Sequence, residues 1–132
     1  MTEPRKPAMK TDPMYQLLRQ GKIKEFNARR AEGESCDLRG SDLRGLDLRG
    51  LDADQLDLSG AYLRGAYLRG ADLRGLDLSG ANLEGASINA AKISGTYFPR
   101  EVYAEEITLS LLHGTRMRYQ CMRGLDPASK GA

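Results

Sequence analysis

The chain of 132 residues has no tryptophan, two phenylalanines, two cysteines and one histidine. Cys36 and Cys121 form no CxxC motif and there is no second pair, so the sequence predicts neither a disulfide framework nor a zinc site. The only histidine, His113, precedes Gly114 and is interpreted as a cation-capable residue at a helix end rather than as part of a Ser-His-Asp triad. No P-loop or dinucleotide motif occurs. We therefore expect no catalytic residue, no metal and no cofactor.

Long apolar runs are missing as well. No stretch reaches the ~18 apolar residues of a membrane span, and the N-terminus has no apolar run of signal-peptide length. We therefore expect a cytoplasmic protein. The net charge of +2 is too small to indicate nucleic-acid binding from bulk electrostatics. Residues 1–35 hold eight Lys and Arg against five Asp and Glu, whereas residues 36–100 hold eight against nine.

What the chain does contain is a repeat of five residues, seen most clearly in AYLRGAYLRGADLRG (61–75). It runs unbroken through thirteen units from residue 36 to residue 100. The third residue of each unit is apolar, the first is small or apolar apart from Ser41 and Thr96, and the fifth is glycine in ten units. Ala53 has the smallest side chain among the third residues and contributes the least apolar surface. The others form the predicted structural core: Leu38, Leu43, Leu48, Leu58, Leu63, Leu68, Leu73, Leu78, Leu83, Ile88, Ile93 and Phe98.

A period of five suits neither a helix nor a flat strand. A helix would spread the apolar residues around its circumference and would lose about 1 kcal/mol at each glycine. In a flat strand, successive units would face opposite sides because five is odd. A bend in every unit, using the conformational freedom of glycine, keeps all apolar residues on one side.

Units such as ADLRG (71–75) and ANLEG (81–85) match the motif A(D/N)LXX, and the chain resembles the pentapeptide-repeat family. The resemblance implies an all-β solenoid, a right-handed quadrilateral β-helix in which four corners close a coil of about twenty residues. The repeat would then make about three coils, stacked at roughly 4.8 Å. Leucine replaces the usual small first residue in several units, for example at Leu46 and Leu76, which we interpret as compensating volume changes in the core.

Short α-helical caps are expected at both ends, because a stacked solenoid otherwise exposes unpaired backbone. Asp12-Pro13 is a helix start, Gly21 divides the first cap into two helices, and Gly114 ends a C-terminal helix. TRMRY (115–119) alternates as a strand does. The C-terminal element folds back as a lid or makes a homodimer, as in some relatives. The predicted segments are a disordered tail (1–11), an N-terminal helical cap (12–35), the repeat (36–100), a C-terminal helix and possible strand (101–119), and a flexible tail (120–132).

With twenty residues per coil, residues n and n+20 share a face, so the surface can be mapped. The first face stacks Asp37, Asp57 and Asp77. The second and third faces together hold four arginines and two tyrosines, residue types that are enriched at interfaces. One interpretation is a solvated lattice of Asp–Arg pairs, each worth under ~1 kcal/mol. The other is a patch for an unidentified protein partner, made of Arg44, Arg49, Tyr62, Arg64, Tyr67 and Arg69.

Three functions are compared. We favour a non-catalytic protein-interaction or scaffold module. The resemblance also suggests a DNA mimic that protects DNA gyrase or topoisomerase, which the acidic first face favours but the mildly positive charge does not. Nucleic-acid binding through the Arg/Tyr faces is the third, and the intermixed aspartates disfavour it. The carboxylates of DADQLD (52–57) lack the glycine and final glutamate of a calcium loop and are explained as repeat positions.

Overall fold

The computed structural model describes residue 10 and residues 12–120. The tails predicted for 1–11 and 120–132 therefore lie outside the described residues, apart from Lys10 and Gln120. Three helices are present: α1 (Pro13–Arg19), α2 (Ile23–Ala31) and α3 (Ala104–His113). No helix in the described part of the chain is long and apolar enough to cross a membrane.

The five-residue units stack with a period of twenty residues. Parallel backbone bridges join Asp42 to Tyr62 and Tyr62 to Asn82, and equivalent bridges join residues 47, 67 and 87, and residues 52, 72 and 92. Along one such column the N–H of Leu43 donates to the carbonyl of Tyr62 at 2.8 Å, and the N–H of Tyr62 donates to Ser41 at 2.9 Å. The pairing is confined to single residues, and no extended strand occurs within residues 12–120. The stacked units, called the solenoid below, are therefore joined by isolated backbone bridges.

A turn closes nearly every unit. Its hydrogen bond runs from the first residue of the next unit back to the third residue, as in Ala66 N–H to Leu63 at 3.0 Å. The fifth residue then occupies the left-handed region, with φ of +71° at Gly65. Side chains are rarely tolerated there, which is why glycine recurs. Gln55 and Ala90, which replace glycine, adopt the same region with φ of 62° and 59°.

The leucines fill the interior. Of the predicted core residues, those from Leu38 to Ile88 are buried, and Ala53 is buried with them. Ile93 and Phe98 are the exceptions, because they are only partly buried against the cluster. They belong to the last two units, and the chain leaves the repeat after residue 100, so no further unit covers them. Ile93 and Phe98 therefore pack against the core without being fully enclosed by it.

The first cap satisfies backbone groups at the lower edge of the solenoid. Asp12 caps α1 by accepting from Met14 N–H at 2.8 Å, and the Tyr15 hydroxyl donates to the carbonyl of Asp42 at 2.8 Å. From α2, the amide of Asn27 donates to the carbonyl of Gly50 and accepts from Asp52 N–H, both at 2.9 Å. Side chains of the two helices thus replace the missing neighbouring coil.

The second cap does the same at the upper edge. The carbonyl of Leu111 accepts from Ala90 N–H at 3.0 Å. The buried hydroxyl of Ser110 accepts from Ile88 N–H at 2.9 Å and donates to the carbonyl of Thr115 at 2.6 Å. Residues 115–119 then lie along the edge formed by residues 83–87, where Met117 pairs with Gly85 and Ala86, and we call this segment the strap. It folds back on its own chain but forms no extended strand.

Candidate partner-binding surface

The aspartates at the second position of the units hold the turns of the repeat. In each case a carboxylate oxygen accepts the N–H two residues later, as in Asp47 with Arg49 at 3.2 Å and Asp72 with Arg74 at 3.2 Å. Asn82 makes the same bond to Glu84 at 3.0 Å with its amide oxygen. These short-range bonds stabilise the local turn, so the second position is a structural one before it is a surface one.

Most arginines of the predicted lattice pair within their own unit. The guanidinium of Arg49 binds both oxygens of Asp47 at 2.7 Å, and Arg39, Arg44 and Arg74 bind their aspartates in the same bidentate way. The Arg74 side chain lowers the pKa of Asp72 to about 2. Only Arg64 reaches between coils, to Glu84 at 3.4 Å. The lattice is thus largely a set of i, i+2 pairs.

Arg44 has a structural role that its exposure hides. The Asp42 side chain is only 13% exposed, and Arg44 binds it at 2.8 Å. This hydrogen bond is the main reason why the pKa of Asp42 is lowered. Removing Arg44 would leave a largely buried carboxylate without its main cation, which is costly. Arg44 is therefore a poor choice for testing partner binding.

Arg69 is different from the other arginines of the candidate patch. It is exposed and has no ion pair or side-chain hydrogen bond to any residue within 12–120. Tyr67, two residues before it, is 39% exposed. These two residues of the third face form the part of the predicted patch that is open to solvent and not committed to a carboxylate.

Arg116, which the sequence pattern did not single out, joins this surface from the strap. Its guanidinium carbon lies 5.1 Å from the centre of the Tyr67 ring, and its NH2 group donates a hydrogen bond to the Tyr67 hydroxyl. This geometry is a cation–π contact. Arg116 has no carboxylate partner among the described residues. Tyr62, also in the predicted patch, lies one unit earlier and is half-buried.

The strap is anchored by the three residues that follow Arg116, and Thr115, just before it, accepts from the Ser110 hydroxyl at 2.6 Å. Met117 is fully buried; it accepts from Gly85 N–H at 2.7 Å and donates to Ala86 at 2.8 Å through its backbone. The Tyr119 hydroxyl accepts from Leu83 N–H at 2.7 Å, and Arg118 pairs with Glu106 of α3 at 2.8 Å. Arg116 is therefore presented from a fixed backbone.

A groove continues the third face toward α2. It has a volume of about 680 Å³ and is lined by residues 21–25 together with Asp47 and Arg49. Its lysines, Lys22 and Lys24, are exposed and have no ion pair within the described part of the chain. The acidic residues that line it are both paired, Asp47 with Arg49 at 2.7 Å and Glu25 with Arg29 at 3.0 Å. The groove is therefore basic in character.

The aspartates stacked on the first face are already engaged in ion pairs or hydrogen bonds within the chain. Asp37 pairs with Arg39 at 3.0 Å and lies 3.8 Å from the Lys10 amine. Asp77 accepts from the N–H and the hydroxyl of Ser79 at 3.0 and 2.6 Å, and Asp57 is bonded to Ser59 in the same manner. These bonds hold turns, as they do on the other faces.

The remaining candidates for reactive groups are the carboxylates, His113 and Cys36. In residues 12–120 no set of three His, Cys, Asp or Glu side chains is placed to hold a metal ion. His113 is exposed in the last turn of α3, just before Gly114 in the left-handed conformation. Burial raises the pKa of the Cys36 thiol, which makes it a weak nucleophile at neutral pH.

A comparison with protein-family models connects this geometry with a known repeat. The model described as pentapeptide repeats matches residues 57–95 in eight copies. Residues 57–95 are therefore pentapeptide repeats of the kind that this family model describes. Members of the family are generally protein-interaction modules and generally non-catalytic. A search of curated proteins finds no match to this chain.

Proposed function

We propose that the protein is a non-catalytic protein-interaction module that binds its partner through the third face and the adjoining corner. The observation that carries the proposal is the open pair Tyr67 and Arg69, joined by Arg116. Tyrosine and arginine account for a large share of interface hot spots because they combine apolar area with directed hydrogen bonds. On the other faces, most arginines are committed to aspartates of their own units.

The surface is suited to binding because its support is rigid. Tyr67 follows Ala66 and precedes Leu68, both buried, and its backbone is bridged to residues 47 and 87. A side chain held in this way loses little further freedom on association, which favours affinity. We further propose that the stacked units complete the right-handed quadrilateral β-helix expected from the family. Its flat sides would then present the third face as one continuous surface.

The internal contacts of the strap favour a monomer over the homodimer that the C-terminal element also allows. Met117 and Tyr119 form their hydrogen bonds with the solenoid of their own chain. Leu109 and Leu112 nevertheless remain exposed on α3. Light scattering of the purified protein distinguishes the two: a mass near 14.5 kDa supports the monomer, and twice that mass contradicts it.

The test of the interaction module is affinity capture from the native cell with a matched pair of variants. The double variant Tyr67→Ser with Arg69→Ser removes one tyrosine and one arginine from the third face. The double variant Tyr97→Ser with Arg100→Ser removes the same residue types from the first face. We expect the partner to be lost from the first variant and kept by the second. Equal retention by both variants would contradict the proposal, provided that circular dichroism shows both to be folded.

A further inference from the structure

We infer that the partner presents a short acidic segment, and that the third face binds it between the strap and α2. This inference rests on the proposed function and adds the chemistry of the partner. It starts from an imbalance of charge along one side of the molecule. Four cations there have no carboxylate partner among the described residues: Lys22, Lys24, Arg69 and Arg116.

The carboxylates on this side are already neutralised within the chain. Asp47 is held by Arg49 at 2.7 Å, Glu25 by Arg29 at 3.0 Å, and Glu84 by Arg64 at 3.4 Å. The pairing of Asp47 also lowers its pKa, so that it stays ionised and paired at neutral pH. Each of these three acidic residues is therefore paired with an arginine, which offsets its repulsion of an incoming carboxylate. The side as a whole attracts negative charge.

The cations are arranged along a line rather than around a point. Arg116 contacts Tyr67 from the strap above, Arg69 follows Tyr67 in the same unit, and Lys22 and Lys24 border the groove at Arg49 below. Stacked coils are spaced at roughly 4.8 Å, so the line extends over about 15 Å. An extended peptide covers that distance with about five residues. A segment of this length with several Asp or Glu side chains would pair with the four cations.

A protein segment fits this surface better than a nucleic acid does. The side still carries Asp47, Glu25 and Glu84, which would face a regular series of phosphates at short range. A peptide can place its carboxylates opposite the free cations and its neutral residues opposite the paired ones. Charge complementarity of this kind supplies specificity and association rate more than affinity.

The test measures binding of a fluorescein-labelled deca-glutamate peptide to the full chain by fluorescence anisotropy at low salt. The variant Arg69→Ser with Arg116→Ser removes two free cations of the third face. The control Arg39→Ser with Arg100→Ser removes the same charge from the first face. We expect the third-face variant to weaken binding about tenfold and the control less than about twofold, as for two surface charge pairs. Raising the salt should weaken wild-type binding.

Three outcomes would overturn the inference. They are no binding of deca-glutamate by the wild type, an equal loss in the two variants, and tighter binding of a ten-nucleotide thymidine oligonucleotide that depends on the same two arginines. These outcomes are separate from those of the proposed function. If the cellular partner is still lost on changing Tyr67 and Arg69 but deca-glutamate does not bind, the interaction module stands and the acidic segment is wrong.

Discussion

At the scale of single residues, the repeat divides its five positions between core, turn and surface. The third residues were predictable from sequence because only they are apolar in every unit, and a period of five has one inward solution. Ile93 and Phe98 are partly exposed because the repeat ends with their units, an end effect that the pattern within a single unit does not show. The bonds from each aspartate to the N–H two residues later follow a known local pattern, which the interpretation as a surface lattice overlooked.

The division between inside and outside is tested by adjacent residues. Leu68 is 1% exposed, and Leu68→Asp would place a carboxylate without a cation in the core. We expect a loss of at least about 3–5 kcal/mol in the free energy of unfolding, or failure to fold. Arg69→Ser, one position later, should change the melting temperature little. Similar losses from both variants, measured by thermal denaturation, would contradict the assignment.

Asp72 allows a prediction on pH. Its hydrogen bonds with Arg74 lower the pKa to about 2 from an ordinary value of 3.8. A carboxylate with a lowered pKa in the folded state stabilises the fold above about pH 4, and this contribution is lost as the pH falls toward 2. Asp72→Asn keeps an oxygen for the turn bond, as Asn82 does naturally. We therefore expect the variant to melt below the wild type at pH 6 and the gap to close toward pH 2.

Thermal denaturation across this pH range distinguishes two origins of the stability. A gap that closes on acidification assigns it to the ionised Asp72–Arg74 pair. A gap of constant size from pH 6 to pH 2 would contradict that assignment and place the loss in the geometry of the turn.

At the scale of elements, the ends of the helices can be predicted from local sequence signals, but the tertiary contacts of the elements cannot. Asp12-Pro13 and Gly114 predict helix ends, and α1 and α3 begin and end at or next to these residues. The contact of Arg116 with Tyr67 joins positions 49 residues apart and lies outside the repeat period. The alternating strap was predicted as a possible strand, but its position along residues 83–87 depends on tertiary packing. The strap's part of the candidate surface therefore required the structure.

The upper cap should depend on one buried hydroxyl. Ser110 is fully buried and accepts from Ile88 N–H, which has no other partner at that edge. Ser110→Ala leaves this N–H unsatisfied, so we expect a loss of about 1–3 kcal/mol in the free energy of unfolding. Urea denaturation measures it. Thr108→Ala on the exposed side of α3 is the control, and equal values for the two variants would show that Ser110 does not cap the solenoid.

At the scale of the whole molecule, each unit contacts the units twenty residues before and after it, and each cap contacts the coil at its own end. Stability in such a solenoid is approximately a sum over units and their interfaces. The chain should therefore tolerate the loss of a whole unit, because every later residue keeps its inward or outward position. It should not tolerate the loss of part of a unit, which reverses those positions.

Deletion of residues 56–60, one complete LDLSG unit of the first face, makes this testable. The N–H of Gly40, which now donates to Ser59 at 2.9 Å, would meet the corresponding carbonyl of the next unit, and the leucines beyond would stay buried. We expect a folded protein with a lower melting temperature and a circular dichroism spectrum close to that of the wild type. Deletion of residues 56–58 removes fewer atoms but shifts the phase of the later units by three positions, which moves Arg64 and Arg69 to the buried positions of Ala61 and Ala66. That variant should be unfolded or insoluble, and the five-residue phase is wrong as the organising rule if it proves the more stable of the two.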